Sequence, residues 1–265
     1  MTGEVPQTKG QQLPITETLM VSLRYMASNW VYLLAVLILA FVLMSVLLIV
    51  FGILARSVAG GDPLSSAVFF IIAFFLSTCF VMTAIAGPSL YGDWRTLLVP
   101  GRAMREMRRA VGVWLWANVA TFVACLPAAA LGIAIGGPAL AVPFALLVAI
   151  FLQVRFFLAI PSALAVGRVT LQKTWVMTEK VPWPTLALFS LATIISFVLS
   201  TALSFPLVLL ERISVGPLGS LGSLESTRVF FMNFAVALCV NTISAANAFR
   251  WLDYYSDTPL LNYDE

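Results

Sequence analysis

Four arginines stand within eight residues in the segment 101–111, GRAMREMRRAV: Arg102, Arg105, Arg108 and Arg109. A guanidinium group donates paired hydrogen bonds to phosphate or carboxylate oxygens. The cluster therefore predicts contact with a lipid headgroup or with an acidic partner protein. The simpler alternative is that these charges only set the orientation of the chain in a membrane.

Three further cations could bind the same anionic groups. Arg155 lies near the end of an apolar run, and Lys173 and Lys180 lie in the segment LQKTWVMTEKVPWP at 171–184. Arg155 either snorkels to the polar surface or points into the bundle beside Gln153, where it would bind a phosphate headgroup. We expect all three to contribute to a headgroup or partner contact.

A polar stripe near the C-terminus suggests a different role. At helical spacing one side of segment 229–248 presents small and amide residues: Asn233, Ala237, Asn241, Ser244 and Asn247. Such residues usually form a helix-packing face with interhelical hydrogen bonds of about 0.6 kcal/mol each. The alternative is a polar path for a translocated solute.

Residues suited to catalysis, cofactors or metals are sparse. The chain has no histidine, and its three cysteines form no CxxC pair. No Asp or Glu falls inside a predicted membrane span, so we predict no catalytic, cofactor or metal site. An enzyme would require acids from separate loops, such as Asp93 and Glu179, to converge. The basic residues sit beside spans, which favours anionic lipid over nucleic acid as their partner.

The elements that position these groups follow from hydropathy. The mean hydropathy is +0.99, and 61% of residues are hydrophobic. Lipid offers no hydrogen-bond partner to the backbone, so each long apolar run is predicted to be an α-helix. The all-α prediction places six spans at 30–54, 64–87, 113–135, 138–160, 186–210 and 229–248.

Three amphipathic segments precede the odd-numbered spans, at 15–30, 101–111 and 171–181. Each has an apolar side and a charged side, which predicts a short helix lying in the headgroup region. Pro182 and Pro184 should end the third segment and begin the fifth span. Tryptophans at these boundaries are predicted interfacial anchors. They are Trp30, Trp114, Trp116, Trp175 and Trp183.

The same order of amphipathic helix, anchor and transmembrane hairpin recurs three times, at about 15–90, 95–166 and 171–250. This predicts a single domain over 15–252 with a three-fold repeat. Residues 1–14 should be a disordered N-terminus. Residues 253–265 should be an acidic tail, carrying Asp253, Asp257, Asp264 and Glu265.

With six spans, both termini lie on the same side of the membrane. Twelve of the 15 lysines and arginines fall on that side. Positive charge is retained on the cytoplasmic side of membranes, so both termini are predicted to be cytoplasmic.

The segment 155–183, RFFLAIPSALAVGRVTLQKTWVMTEKVPW, carries an Arg in an apolar run, a Pro-Ser exit, a W-x-x-T helix and a Trp before the next span. It resembles a group of bacterial multi-pass proteins related to the membrane domain that precedes the catalytic domain in some glycerophosphodiester phosphodiesterases. The resemblance implies a bundle with interfacial helices near phospholipid headgroups, in a bacterial inner membrane. It brings no chemistry, because the catalytic barrel is absent from this chain.

The sequence leaves two candidate functions. The favoured one is a non-enzymatic scaffold, assembly factor or accessory subunit that contacts anionic lipid and a membrane-protein partner. The alternative is a small-solute or lipid transporter built from repeated transmembrane hairpins.

Overall fold

The structure is a computed structural model that describes residues 13–59, 63–91, 100–169, 171–215, 222–256 and 259–261. Within these ranges the chain forms nine α-helices and no β-strand, which confirms the all-α prediction for the described residues. The helices are α1 (Ile15–Ser28), α2 (Trp30–Ala59), α3 (Pro63–Tyr91), α4 (Pro100–Gly136), α5 (Pro138–Phe156), α6 (Ala159–Val166), α7 (Gln172–Lys180), α8 (Pro182–Val215) and α9 (Gly222–Tyr254). Most of the predicted N-terminal segment lies outside this part, but Leu13 is described and buried.

Five helical regions are long and apolar enough to cross a membrane, so the chain is a multi-pass membrane protein by length and composition. They are Trp30–Leu54, Val68–Tyr91, Gly101–Gly136, Pro138–Val166 and Pro182–Ala202. The sixth predicted span, 229–248, lies in α9, which is not among the five regions found in the described residues. The count of six therefore stays a prediction.

The long helices pair as hairpins. The most extensive interhelical contacts join α4 to α5, α2 to α3 and α8 to α9, and α3 also packs along α9. These are the three predicted hairpins. Their relation by a three-fold repeat stays a prediction, and the first and second units differ in how the amphipathic segment joins the hairpin.

In the second unit the amphipathic segment 101–111 is not a separate helix. It is the first part of α4, which runs unbroken for 37 residues from Pro100 to Gly136. In the first unit Asn29 separates α1 from α2, and in the third Val181 separates α7 from α8. Helix α8 begins at Pro182, as the two prolines predict, because proline fits the first turn of a helix but not its interior.

The fourth predicted span also differs from expectation. It is divided after Phe156, where the Phe157 N–H donates to the Val154 carbonyl in a tighter turn, and α6 follows. Gly167 then ends α6 with φ +77°, a left-handed conformation that glycine adopts without steric cost.

The core of the described residues has two clusters, and the smaller joins α2, α3 and α9. The larger cluster lies at one end of the bundle and joins α1, the ends of α3 and α9, the first half of α4, and α6 to α8, with Leu158, Val113 and Phe249 fully buried. We call this end the terminal face. It is formed by α1, the first turns of α4, α6, α7 and the last turns of α9. Away from it, many described side chains of α4 and α5 are exposed, such as Phe122 and Leu147.

The α4–α5 hairpin is held by close backbone approach. A Cβ atom built on Gly132 would lie 2.5 Å from the Leu140 carbonyl oxygen, and one on Gly136 would overlap the Leu140 side chain. Gly137, with φ +77°, makes the turn between the helices. The absence of side chains at Gly132 and Gly136 therefore allows close contact between α4 and α5.

Candidate functional site

The arginine cluster at the start of α4 divides into paired and exposed members. The Arg102 Nε atom lies 3.1 Å from Glu106 Oε1, and the guanidinium carbon lies 5.8 Å from the centre of the Tyr91 ring. The Glu106 side chain is only 6% exposed, whereas that of Arg102 is 43% exposed. Arg102 thus compensates a buried carboxylate and is not a free anion-binding group.

Arg109 also has a partner within the fold. Its guanidinium covers Gly167, since a Cβ atom there would lie 3.7 Å from Arg109 Nη2. Gly167 ends α6, whose last carbonyl groups carry partial negative charge. Arg109 therefore stabilises the contact between α4 and α6 at the terminal face.

Arg105 and Arg108 are the two exposed members of the cluster. Arg105 Nε donates to the Gly101 carbonyl in its own helix at 3.2 Å, which leaves most of its guanidinium in solvent. Met104 beside them is 69% exposed. Two of the four predicted arginines are thus placed where a headgroup or an acidic partner could reach them.

Arg155 lies at the end of α5 between two aromatic rings. Its guanidinium carbon is 5.2 Å from the centre of the Phe151 ring and 5.1 Å from that of Trp175 on α7. Its Nε and Nη1 atoms are buried and have no hydrogen-bond acceptor among the described residues. The side chain is half-buried and lies against Trp175 of α7, and the choice between the two sequence alternatives stays a prediction.

Helix α7 carries the two predicted lysines, Lys173 half-buried and Lys180 exposed. Its inner side is formed by buried Thr174, Met177 and Thr178. Thr178 Oγ1 lies 3.4 Å from the Arg155 carbonyl oxygen, although its shorter hydrogen bond, 2.9 Å, goes to the Thr174 carbonyl. The helix therefore packs its threonine side on α5 and leaves its cations towards the surface.

The apolar side predicted for α1 is covered by protein. Leu19 is buried, and Ile15, Leu23 and Met26 pack against the core. Asn247 Nδ2 on α9 donates to Ser22 Oγ on α1 at 3.0 Å. This side of α1 is thus bound to the rest of the bundle, while Met20 and Val21 stay exposed.

The predicted tryptophan anchors separate into two groups. Trp30, Trp116 and Trp183 are 62%, 62% and 76% exposed, as anchors in a lipid interface require, and Trp175 is 37% exposed. Trp114 instead packs against Phe75 on α3, with ring centres 4.4 Å apart. Trp114 therefore joins two spans.

The polar stripe of α9 is partly buried within the bundle. Ser244 is fully buried, and Asn241 Nδ2 donates to the Ala237 carbonyl of its own helix. Asn233 Oδ1, Asn241 Oδ1 and Ser244 Oγ are buried without a hydrogen-bond partner. A cavity of about 150 Å³ between α2, α3 and α9 is lined by apolar side chains except for Ser77 and Thr78.

Sequence reasoning missed two acidic residues. Glu106 has no role in the sequence analysis, although its position four residues after Arg102 is a signal for a helical ion pair. Asp253 was assigned to the acidic tail, but it lies in α9 and is fully buried. Its Oδ2 atom accepts the backbone N–H groups of Leu260 and Leu261 at 2.9 and 3.0 Å.

No group of three His, Cys, Asp or Glu side chains suited to a metal ion occurs among the described residues. Glu179 is exposed on α7, and Asp93, the acid considered with it for catalysis, lies outside the described ranges.

Comparison with known proteins adds no family to this geometry. No protein-family model, no curated protein and no solved structure matches the chain. The resemblance to the phosphodiesterase-associated membrane domain therefore stays a prediction from segment 155–183.

Proposed function

We propose that this protein is a non-enzymatic scaffold or accessory subunit of a bacterial inner membrane, whose terminal face contacts anionic lipid and a membrane-protein partner. The observation that carries the proposal is the exposure of Arg105 and Arg108 beside two arginines that are already engaged within the fold. Exposed guanidinium groups beside a membrane span attract anionic headgroups, each by about 1 kcal/mol.

The length of α4 supports this placement. Its 37 residues extend for about 56 Å at 1.5 Å per residue, while a hydrocarbon core is about 30 Å thick. One end of α4 must therefore project into the headgroup region or beyond it. The charged first turns are the end suited to water, and the positive-inside rule directs them to the cytoplasm.

The experiment is purification in native-lipid nanodiscs followed by mass spectrometry of proteins and lipids. We expect enrichment of anionic lipid over the bulk membrane and a co-purified membrane protein in stoichiometric amount. The doubly substituted Arg105→Ala, Arg108→Ala protein should lose enrichment or partner, whereas Arg56→Ala, at an exposed arginine distant from the terminal face, should lose neither. A clean, lipid-free monomer from the unmodified chain would contradict the proposal.

A transporter is the second candidate, because buried polar atoms without partners occur in both α3 and α9: Ser77 Oγ, Asn233 Oδ1, Asn241 Oδ1 and Ser244 Oγ. These atoms would supply a polar path if the apolar cavity beside α2 opened towards them. Solute flux or lipid transfer in proteoliposomes tests it. Replacement of Asn241 by Leu should abolish such transport, and equal flux with and without the protein excludes this function.

A further inference from the structure

We propose that Arg155, held between Phe151 and Trp175, binds the phosphate group of one membrane phospholipid per chain. The inference rests on the proposed function, because it assigns one specific lipid site to the terminal face. It differs from the contact at Arg105 and Arg108 in kind: those side chains are exposed and attract headgroups diffusely, whereas Arg155 is enclosed by aromatic rings.

The first argument concerns unmet hydrogen bonds. Arg155 Nε and Nη1 are buried, yet no acceptor among the described residues reaches them. Buried donors are unfavourable without an acceptor, and a charged donor more so than a neutral one. An anionic ligand would supply the missing acceptors.

The second argument concerns charge. The ion pair in the described part of the chain joins Arg102 to Glu106, and no carboxylate there pairs with Arg155. The neighbouring helix α7 carries Lys173, Glu179 and Lys180, so it adds one net positive charge to that of Arg155. The local excess of positive charge selects an anion over a zwitterion or a neutral group.

The third argument concerns shape. Phe151 and Trp175 flank the guanidinium, and its Nε and Nη1 donors are buried, so a phosphate oxygen reaches them once a flanking side chain moves aside. Phosphate matches this arrangement because it presents several acceptor oxygens to a guanidinium fork. The indole of Trp175, partly exposed, belongs at the depth of the headgroups, where a phospholipid carries its phosphate.

Native mass spectrometry in a mild detergent tests the site. The purified protein is titrated with dioleoylphosphatidylglycerol, with dioleoylglycerol, which lacks the phosphate, and with inorganic phosphate. We expect one tightly retained phosphatidylglycerol per chain, at least tenfold weaker binding of dioleoylglycerol, and weak binding of inorganic phosphate. Tight binding of inorganic phosphate alone would identify a free anion as the ligand and overturn the lipid assignment.

Variants locate the site. Arg155→Met keeps an apolar side chain between the rings and should weaken phosphatidylglycerol binding about tenfold. Lys173→Met removes one neighbouring charge and should weaken it less than threefold. Arg155→Lys, which keeps the charge but loses the planar fork, should give an intermediate affinity. If Arg155→Met fails to fold, the Arg155→Lys variant and the titration of the unmodified chain still test whether Arg155 binds the lipid.

Two results would overturn the inference. One is unchanged phosphatidylglycerol binding in Arg155→Met. The other is a co-purified protein whose cross-linked carboxylate occupies Arg155 in place of lipid. Neither result contradicts the proposed function, because the enrichment of anionic lipid that depends on Arg105 and Arg108 would persist. Conversely, loss of that enrichment with one lipid still bound at Arg155 would refute the proposed function alone.

Discussion

Nε of Arg102 lies 3.1 Å from Oε1 of Glu106, one turn further along α4, and this contact places a buried carboxylate against an arginine that is nearly half exposed. Replacement of Arg102 by Met should lower the free energy of unfolding by about 1–3 kcal/mol, because Glu106 would stay buried without its partner. Thermal unfolding in detergent measures the change.

Arg105→Met is the matched control for that substitution, because Arg105 is exposed on the same helix and should change stability by less than about 0.5 kcal/mol. The double substitution Arg102→Met, Glu106→Gln should recover part of the loss. Equal destabilisation by the two arginine substitutions would contradict the structural role of Arg102.

Gly132 and Gly52 offer a second matched pair. Gly132→Ala should destabilise the protein by about 1–3 kcal/mol, since its Cβ would lie 2.5 Å from a backbone oxygen of α5. Gly52→Ala meets nothing within 4 Å and should be neutral or stabilising by up to about 1 kcal/mol. Unfolding monitored by tryptophan fluorescence compares them, and a tolerated Gly132→Ala would mean that α4 and α5 are further apart.

Ser22 joins α1 to α9 across 225 residues of sequence through Asn247. Ser22→Ala should weaken the attachment of α1 by about 1 kcal/mol, because it leaves the Asn247 amide without its acceptor. Hydrogen exchange of the α1 amides should become several-fold faster. Ser28→Ala, at an exposed position on the same helix, should leave exchange unchanged.

Asp253 holds the backbone of Leu260 and Leu261 against the end of α9. Asp253→Ala removes two charge-assisted hydrogen bonds, so amide exchange at these two leucines should accelerate at least tenfold. Peptide-resolved hydrogen exchange measures the effect, with Glu179→Ala at an exposed acid as the control. Unchanged protection at Leu260 would show that packing alone fixes this segment.

The accessibility of position 105 reports the orientation of the chain in the membrane. A thiol introduced by Arg105→Cys should react with a membrane-impermeant maleimide only after the inner leaflet is made accessible, if the terminal face is cytoplasmic. Cys79 and Cys239 are buried and Cys125 is partly exposed within α4, so labelling of the chain with Arg105 unchanged provides the background. Labelling of Arg105→Cys in intact spheroplasts would reverse the proposed topology.

Five of the six predicted spans correspond to apolar helices long enough to cross a membrane, because hydropathy is a local property of the sequence. The end of α7 and the start of α8 were predicted equally well from Pro182. The continuity of α4 could not be predicted, because an amphipathic segment and an apolar segment can join in one helix with no signal in the sequence at the junction. Gly112 lies at this junction within α4, and a Cβ on it would meet the Val169 side chain at 2.8 Å.

Prediction of the site was limited for a related reason. The spacing of four residues in one helix offers Glu106 as a partner for Arg102, but only tertiary structure reveals that Tyr91 lies against Arg102 and Gly167 against Arg109. Trp175 was predicted from its position as an interfacial anchor. Its contact with Arg155, 20 residues earlier, depends on how α7 folds back against α5.

The concentration of the core at the terminal face has a mechanical consequence. Among the described residues the smaller cluster also joins α2, α3 and α9, whereas the α4–α5 hairpin extends away from the terminal face with exposed side chains such as Phe122 and Leu147, so this hairpin can tilt without breaking the core. Such a bundle adjusts to thick and thin bilayers at small energetic cost, because hydrophobic mismatch is relieved by tilt. Lipid composition would then alter the spread of the hairpins while the phosphate-facing surface keeps its geometry.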